Sequence, residues 1–284
     1  MKILVTGATG FIGGHVIAQL LEQGHEVIAS GATPSLRLNK HSWINKVEYI
    51  PWIIGTETNE NLFSHFNKPN LLIHLAWGGL PNYNSLFHFE KNLPEQYLFL
   101  KNLIINGLSD ITISGTCFEY GIQEGCLSES MNSSPTNSYA LAKDSLRKFL
   151  DELQKHQPFV IKWLRLFYMY GKDQSANSLI PQLLQAFQNG ESHFNMSPGD
   201  QVRDYLPVET MAKKITAIAL QKKITGIINC CSGKPVKVID FVREFAEEHD
   251  IKIELNTGFY PYSPIEPFSF WGDTTKMNLA INNS

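Results

Sequence analysis

Lys2-Ile3-Leu4-Val5-Thr6 runs directly into Gly7-Ala8-Thr9-Gly10-Phe11-Ile12-Gly13, and an amphipathic stretch follows at once. A short apolar run, a glycine-punctuated turn and a helix, in that order, form the phosphate-binding corner of a dinucleotide fold. Gly7 permits the tight turn, Gly10 lets backbone approach a pyrophosphate, and Gly13 allows close packing of helix on strand. The free N–H groups of the helix N-terminus then face the phosphates.

Outward from that corner, β-branched runs alternate with amphipathic stretches, as βαβ units of a parallel sheet require. Strands are predicted at Lys2–Thr6, Glu26–Ser30, Val47–Ile50, Leu71–Leu75, Ile111–Ser114, Phe159–Leu166 and Gly226–Cys230. Helices are predicted at Phe11–Gln23, Asn61–His65, Leu93–Asn106, Ser138–Lys155, Ile180–Asn189, Glu209–Gln221 and Val238–His249. Pro94 fits a first helical turn and Gly107 a helix end. The expected architecture is α/β: a Rossmann-type doubly wound parallel sheet with a smaller C-terminal substrate lobe. Residues 1–170, rejoined by 208–232, would form the dinucleotide domain; 171–207 and 233–284 would form the lobe. Between Gly258 and Gly272 lie six aromatic residues and three prolines, which read as a folded loop lining a pocket.

Composition narrows the function. Of 284 residues, 43% are hydrophobic and the net charge is −3, with no Lys/Arg run. A nucleic-acid surface or an anionic-membrane patch is therefore not expected. The longest apolar run, Leu71 to Leu80, is broken by His74 and two glycines and is too short for a membrane span. Cys117, Cys126, Cys230 and Cys231 have no metal-ligand spacing and read as free thiols in a reducing cytoplasm. The first strand begins at Lys2, so no signal peptide is expected ahead of it.

After the second strand the chain reads Ile28-Ala29-Ser30-Gly31, with no acid before Glu48. A carboxylate there would bond a ribose diol and repel a 2′-phosphate. Its absence, with Arg37 and Lys40 nearby, favours NADP over NAD; the alternative, that both cations form a solvated loop, stays open. Tyr139 and Lys143, four apart, share one helix face. A free phenol ionises near ~10, and a neighbouring ammonium together with a nicotinamide cation would lower that value. Tyr139 is then a proton donor to a nascent alkoxide, and Lys143 a holder of the nicotinamide ribose.

Together these motifs resemble the extended short-chain dehydrogenase/reductase family, in its nucleotide-sugar epimerase, dehydratase and 4-ketoreductase branch. The resemblance rests on Thr6–Gly13, His74-Leu75-Ala76, Asn92, Ser114–Gly121, Tyr139/Lys143, Arg165–Gly171, Gln201–Tyr205 and Asp273–Lys276. It implies cofactor contacts from Gly7, Thr9, Gly10, Phe11, Ile12, Ser30, Arg37, Leu75, Ala76, Trp77, Asn92, Tyr139 and Lys143. It also implies that Thr116 polarises the substrate carbonyl, with Ser114 left as an ordinary strand-end hydroxyl. Cys117 and Phe118 stand where the sugar dehydratases carry Asp-Glu, which argues against water elimination; Glu119, one position on, reads as structural. Tyr168 replaces an asparagine, and Ser263 stands where an arginine often contacts the nucleotide. Arg203 matches an arginine that grips the diphosphate, unless it pairs with Asp204 or a distant carboxylate. Cys117, Phe118, Tyr168 and Arg203 are accordingly the expected substrate contacts besides Thr116.

The implied activity is NADPH-dependent reduction of a nucleotide-linked 4-keto-6-deoxyhexose, as in deoxysugar supply for surface polysaccharide. A 4-epimerase retaining NAD is the alternative, and a non-catalytic dinucleotide-binding regulator the second. Relatives of this kind pair two helices across a homodimer, which assigns that role to Leu93–Asn106 and Ser138–Lys155.

Overall fold

The computed structural model describes residues 1–33, 41–262 and 266–283. Arg37, Lys40 and Ser263 lie outside them. In chain order the first half comprises β1 (Lys2–Thr6), α1 (Gly13–Glu22), β2 (Glu26–Ser30), β3 (Glu48–Tyr49), α2 (Leu62–His65), β4 (Leu71–His74), α3 (Leu93–Ile105), β5 (Asp110–Thr116), β6 (Gly125–Leu127), α4 (Ser138–Gln154) and β7 (Val160–Leu166). The second half adds β8 (Tyr168–Tyr170), α5 (Leu179–Gln188), β9 (His193–Asn195), β10 (Val202–Pro207), α6 (Val208–Leu220), β11 (Gly226–Cys230), β12 (Pro235–Lys237), α7 (Val238–Glu248), β13 (Glu254–Asn256), β14 (Phe270–Gly272) and α8 (Thr275–Ile281).

Seven strands form one sheet in the order β11-β7-β5-β4-β1-β2-β3, and every pairing in it is parallel. The sheet is buried on both faces, so its strands are largely apolar rather than alternating, though β7 also buries Lys162 and Arg165. Successive side chains point to opposite faces. Ile3 and Val5 pack with Val16, Ile17 and Leu20 of α1 and Met211, Ile215 and Ile218 of α6. Leu4 packs oppositely, with Phe99, Leu100 and Leu103 of α3 and Leu146 and Leu150 of α4. Strand order reverses between β1 and β4, which opens a crevice beyond their carboxyl ends.

Most predicted elements stand within two residues of their expected ends. Phe11 and Ile12 belong to the loop rather than to α1, and β5 runs two residues further, to Thr116. A π-helical turn, His88–Asn92, precedes α3 and was not legible. Pro94 does sit in the first turn of α3. Gly107, at φ +126°, closes that helix, with Leu108 N donating to Leu103 O at 3.0 Å.

A second apolar cluster joins α5, α7 and β9 through Ile180, Leu183, Phe194, Phe241 and Phe245. β14 pairs with β6, and Met277 and Ala280 of α8 pack into the core beside α1 and α6. No helix among the described residues is long and apolar enough to cross a membrane.

Where β5 ends, a buried carboxylate gathers its neighbours. Glu119 accepts from Thr116 N (2.9 Å), Trp163 Nε1 (3.0 Å) and Arg165 Nε (2.8 Å). The Arg165 guanidinium lies over the Tyr120 ring at 4.2 Å, and Tyr120 Oη donates to Asn229 Oδ1 at 2.7 Å. One network thus ties β5, β7 and β11. A Cβ on Gly115 would lie 2.2 Å from Trp163 Nε1 and 2.6 Å from Glu119 Oε1, so only glycine fits. Glu119→Ala strands the buried Arg165 cation and should cost about 3–5 kcal/mol; urea unfolding against the parent chain measures it.

Candidate active site

The site is built on the carboxyl ends of β1, β4 and β5, with α4 alongside. Gly7 has φ +73°, and a Cβ there would meet Leu75 C and Ala76 N at 2.8 Å. A Cβ on Gly13 would sit 2.2 Å from Gly7 O. These two glycines are demanded by backbone packing. Around Gly10 the nearest neighbour of a Cβ is Gly7 O, at 3.2 Å, so its other side stays open for a ligand's approach. α1 carries no acid in its first turn and no side-chain cap, which leaves its N-terminal field available to an anion.

The loop floors a cleft of about 680 Å³. Gly7, Gly10, Phe11, Ile12, Leu75 and Trp77 line one part of it, and Thr116, Cys117, Phe118, Tyr139, Lys143 and Tyr168 line another. The two motifs that decided the sequence reading thus meet across one space.

α4 begins with Asn137, whose Oδ1 accepts from Ala140 N at 2.9 Å. That start sets Tyr139 and Lys143 on the face turned to β5. Lys143 Nζ donates to Ser114 O at 2.7 Å and lies 4.2 Å from the centre of the Trp77 ring. Burial pulls its ammonium down to about 7, with Glu119 working in the opposite sense. The expected acidification of Tyr139 is not found in this structure. Burial pushes its phenol up, Glu119 adds to the rise, and a hydrogen bond with Thr116 opposes it. In the protein alone the phenol is held protonated.

Ser114 Oγ donates to His74 O at 3.3 Å, which is the strand-end role expected of it. Thr116 Oγ1 accepts from Phe118 N at 3.3 Å and faces the cleft. Glu119 is fully buried, as its structural reading required.

Several residues of the expected set have partners of their own within the chain. Arg203 is buried and donates to Val202 O, Phe268 O and, at 2.8 Å, Glu266 Oε2. It is paired with a distant carboxylate rather than presented to a diphosphate, because a guanidinium withdrawn from water needs a counter-charge. Asn92 also lies off the lining: its amide donates to Gly78 O at 2.9 Å. Thr9 bonds the Thr33 hydroxyl, Ser30 is buried with its carbonyl on Ala8 N, and Ala76 O accepts from Gln96. Arg37 is outside the described residues.

Other lining residues were not foreseen. Tyr83 and Leu80 come from the loop after β4, Tyr205 from β10, Phe241 from α7 and Glu266 from the aromatic tail. Tyr205 stood inside the quoted segment Gln201–Tyr205 without being singled out, but Glu266 had no signal. Phe259, Tyr260 and Phe268 of that tail are exposed, so the tail meets the cleft through Glu266 rather than through these rings. Tyr168 packs with Phe118, Tyr205 and Phe270, and its buried phenol is raised further by the Glu266 charge. This end of the cleft is aromatic and acidic. Cys117, beside it, is raised chiefly by burial and stays a thiol at neutral pH. No group of His, Cys, Asp or Glu among the described residues is arranged to hold a metal.

A glycine-floored α/β crevice holding a Tyr-Lys pair defines a nicotinamide-dinucleotide enzyme of the short-chain type. The model of the NAD dependent epimerase/dehydratase family matches residues 3–231, and the chain belongs to that family. It is 30% identical over 276 residues to dTDP-6-deoxy-L-talose 4-dehydrogenase (NAD(+)) of Aggregatibacter actinomycetemcomitans, covering 96% of this chain and 99% of that one. GDP-6-deoxy-D-talose 4-dehydrogenase of the same organism is 25% identical over 291 residues, covering 100% and 92%. Among solved structures, the UDP-glucuronic acid 4-epimerase from Bacillus cereus in complex with UDP-glucuronic acid and NAD superposes with a TM-score of 0.83. The identity there is 23%, with 100% and 94% coverage; this likeness speaks for the fold.

The Lys143 shift has a consequence for stability. Between about pH 7 and 10.5 the unfolded chain holds a proton that the folded chain has shed, so stability rises with pH across that window. The penalty for the buried charge is full below it. Lys143→Met should therefore stabilise the cofactor-free protein at or below neutrality, by roughly 2–4 kcal/mol, and hardly at all near pH ~10.5. Thermal unfolding of both chains across that range checks it.

Proposed function

We propose that this chain interconverts the C4 alcohol and C4 ketone of a nucleotide-linked 6-deoxyhexose, running as a reductase of the 4-keto sugar. The observation that carries this reading is the convergence of Thr116, Tyr139 and Lys143 over the glycine-floored cleft. The residues fit a nicotinamide dinucleotide: open backbone at Gly10, an uncapped helix start, and an ammonium whose remaining donors can reach ribose hydroxyls. When bound, that group supplies or accepts the hydride at the sugar carbon.

The chain does the rest. Tyr139, kept neutral by burial, holds the proton that a nascent C4 oxyanion takes. Thr116 presents its hydroxyl to the same oxygen, stabilising charge as it develops. Lys143 stands close enough to favour the phenolate once the proton has gone. A protonated phenol is the form that reduction draws on, and the phenolate the form that oxidation draws on. The talose 4-dehydrogenases named above work on the same alcohol–ketone couple, and the two directions use the same groups. Cys117 and Phe118 offer no acid–base pair for eliminating water.

The cofactor we infer is NAD(H) or NADP(H). The preference for NADP read from the acid-free end of β2 has no support among these relatives: the dTDP-6-deoxy-L-talose enzyme is named for NAD(+), and the 4-epimerase structure is a complex with NAD. Arg203, linked to Glu266 at 2.8 Å, would take up a substrate diphosphate only by changing partner. A homodimer through α3 and α4 fits the exposed Leu98 (63%) and Phe149 (46%), and Tyr97 and Phe149 pack ring to edge across these helices.

Incubation with a panel of nucleotide-linked 4-keto-6-deoxyhexoses, with NADH and NADPH in parallel, tests the reaction. Stoichiometric consumption of reduced cofactor with formation of a 4-hydroxy sugar is expected. Epimerisation without net consumption would install the 4-epimerase reading instead. Tyr139→Phe keeps the ring and removes the proton, so turnover should fall ~10²–10⁴-fold with cofactor binding retained; near-normal turnover sinks the mechanism. Light scattering should give twice the chain mass, and Leu98→Glu with Phe149→Glu should halve it.

A further inference from the structure

Trp77 follows β4 and lines the cleft with its ring against Lys143 Nζ, 4.2 Å from the ring centre. An indole N–H can only donate, and this one donates to His88 Nδ1 at 3.1 Å. His88 Nδ1 is therefore the unprotonated nitrogen. Its Nε2 carries the hydrogen and donates to Asn82 O at 3.0 Å. The Asn92 amide, 3.4 Å from the same Nδ1, bonds Gly78 O. The π-helical turn His88–Asn92 sets both side chains toward the segment after β4; such turns recur at functional sites.

His88 is not among the residues lining the cleft, yet its ring lies 5.4 Å from that of Tyr139 and is stacked at 6.3 Å with Trp77. Trp77 meets Tyr139 edge-on at 6.0 Å. The loop that His88 holds through Asn82 also reaches α4, where Tyr139 N donates to Tyr83 O at 2.9 Å.

We propose that His88 is a positioning residue: its Nδ1 fixes the Trp77 indole as a plate over the Lys143 ammonium, which orients Lys143 for a bound nicotinamide dinucleotide. The physical need is plain. A buried ammonium with a lysine's free torsions turns toward any acceptor it finds. Here Ser114 O holds one donor and the π face of Trp77 attracts the charge from another side. An indole without its own anchor is free to rotate on χ2 and abandon that face. Burial lowers His88, and the Lys143 charge lowers it further against the Asn82 hydrogen bond, so the acceptor persists through neutral pH. The functional part of this inference rests on the proposed use of Lys143; the anchoring of Trp77 does not.

The test separates the two. In a ¹H–¹⁵N spectrum of the full chain, the five tryptophans give indole signals, and Trp77→Phe assigns that of residue 77. His88→Leu removes the acceptor, whereas His88→Asn places a carbonyl oxygen near the position of Nδ1. His88→Leu should shift the Trp77 indole proton upfield and weaken NADH and NADPH binding by about three- to thirtyfold. His88→Asn should recover both. In a Trp77→Phe background, which keeps a ring but no donor, His88→Leu should cost little more, as coupled partners require. An unmoved indole signal overturns the proposal, as do equal losses in the Leu and Asn variants or additive losses in the double variant. Should His88→Leu fail to fold, the His88→Asn and Trp77→Phe arms still decide it. A parent chain that binds neither dinucleotide would defeat the proposed function and leave the indole result standing on its own.

Discussion

The Glu119 carboxylate, fully withdrawn from water, is the constraint on which the site depends. Three donors from β5 and β7 converge on it, and through Arg165 and Tyr120 the order extends to β11. Thr116 N is one of those donors, so the hydroxyl facing the cleft is placed by a group that never enters it. The same charge raises the Tyr139 phenol and supports the Lys143 ammonium. Structural anchor and electrostatic reference are one residue.

That arrangement explains how an enzyme of this kind tolerates a buried lysine. Full desolvation of an ammonium is expensive, and Lys143 has no carboxylate in direct contact. A backbone carbonyl, an aromatic face and a distant negative charge compensate in part, and the remaining imbalance appears as a lowered proton affinity. Lys143 carries this imbalance without a carboxylate partner, whereas the buried Lys162 has Asp110 at 2.7 Å.

Much of this was legible in the chain. The glycine corner and the parallel strands declare themselves locally, because strand burial and helix start are encoded within a few residues. Tyr139 and Lys143 needed only helical spacing. The features that escaped depend on contacts between distant segments. Nothing near Arg203 announces Glu266, 63 residues on, and nothing in Asn92 tells that its amide turns to Gly78. The burial that raises the Tyr139 phenol was hidden for a related reason: a helix wheel shows the neighbouring ammonium but not the depth of burial. Arg165 and Glu119 illustrate the converse, where reading Glu119 as structural needed only the alternation of the strand before it.

The tail adds a matter of timing. The glycine corner is synthesised well before the tail, yet β6 is paired by β14, and the α1–α6 core takes two side chains from α8. A nascent chain therefore carries an apolar face that no earlier segment covers until synthesis has passed residue 280. Glu266, just ahead of β14, reaches the cleft on the same late segment. Assembly of the site is in this sense ordered by translation, the floor first and the acidic wall last, and chaperone dependence would concentrate in the interval between them.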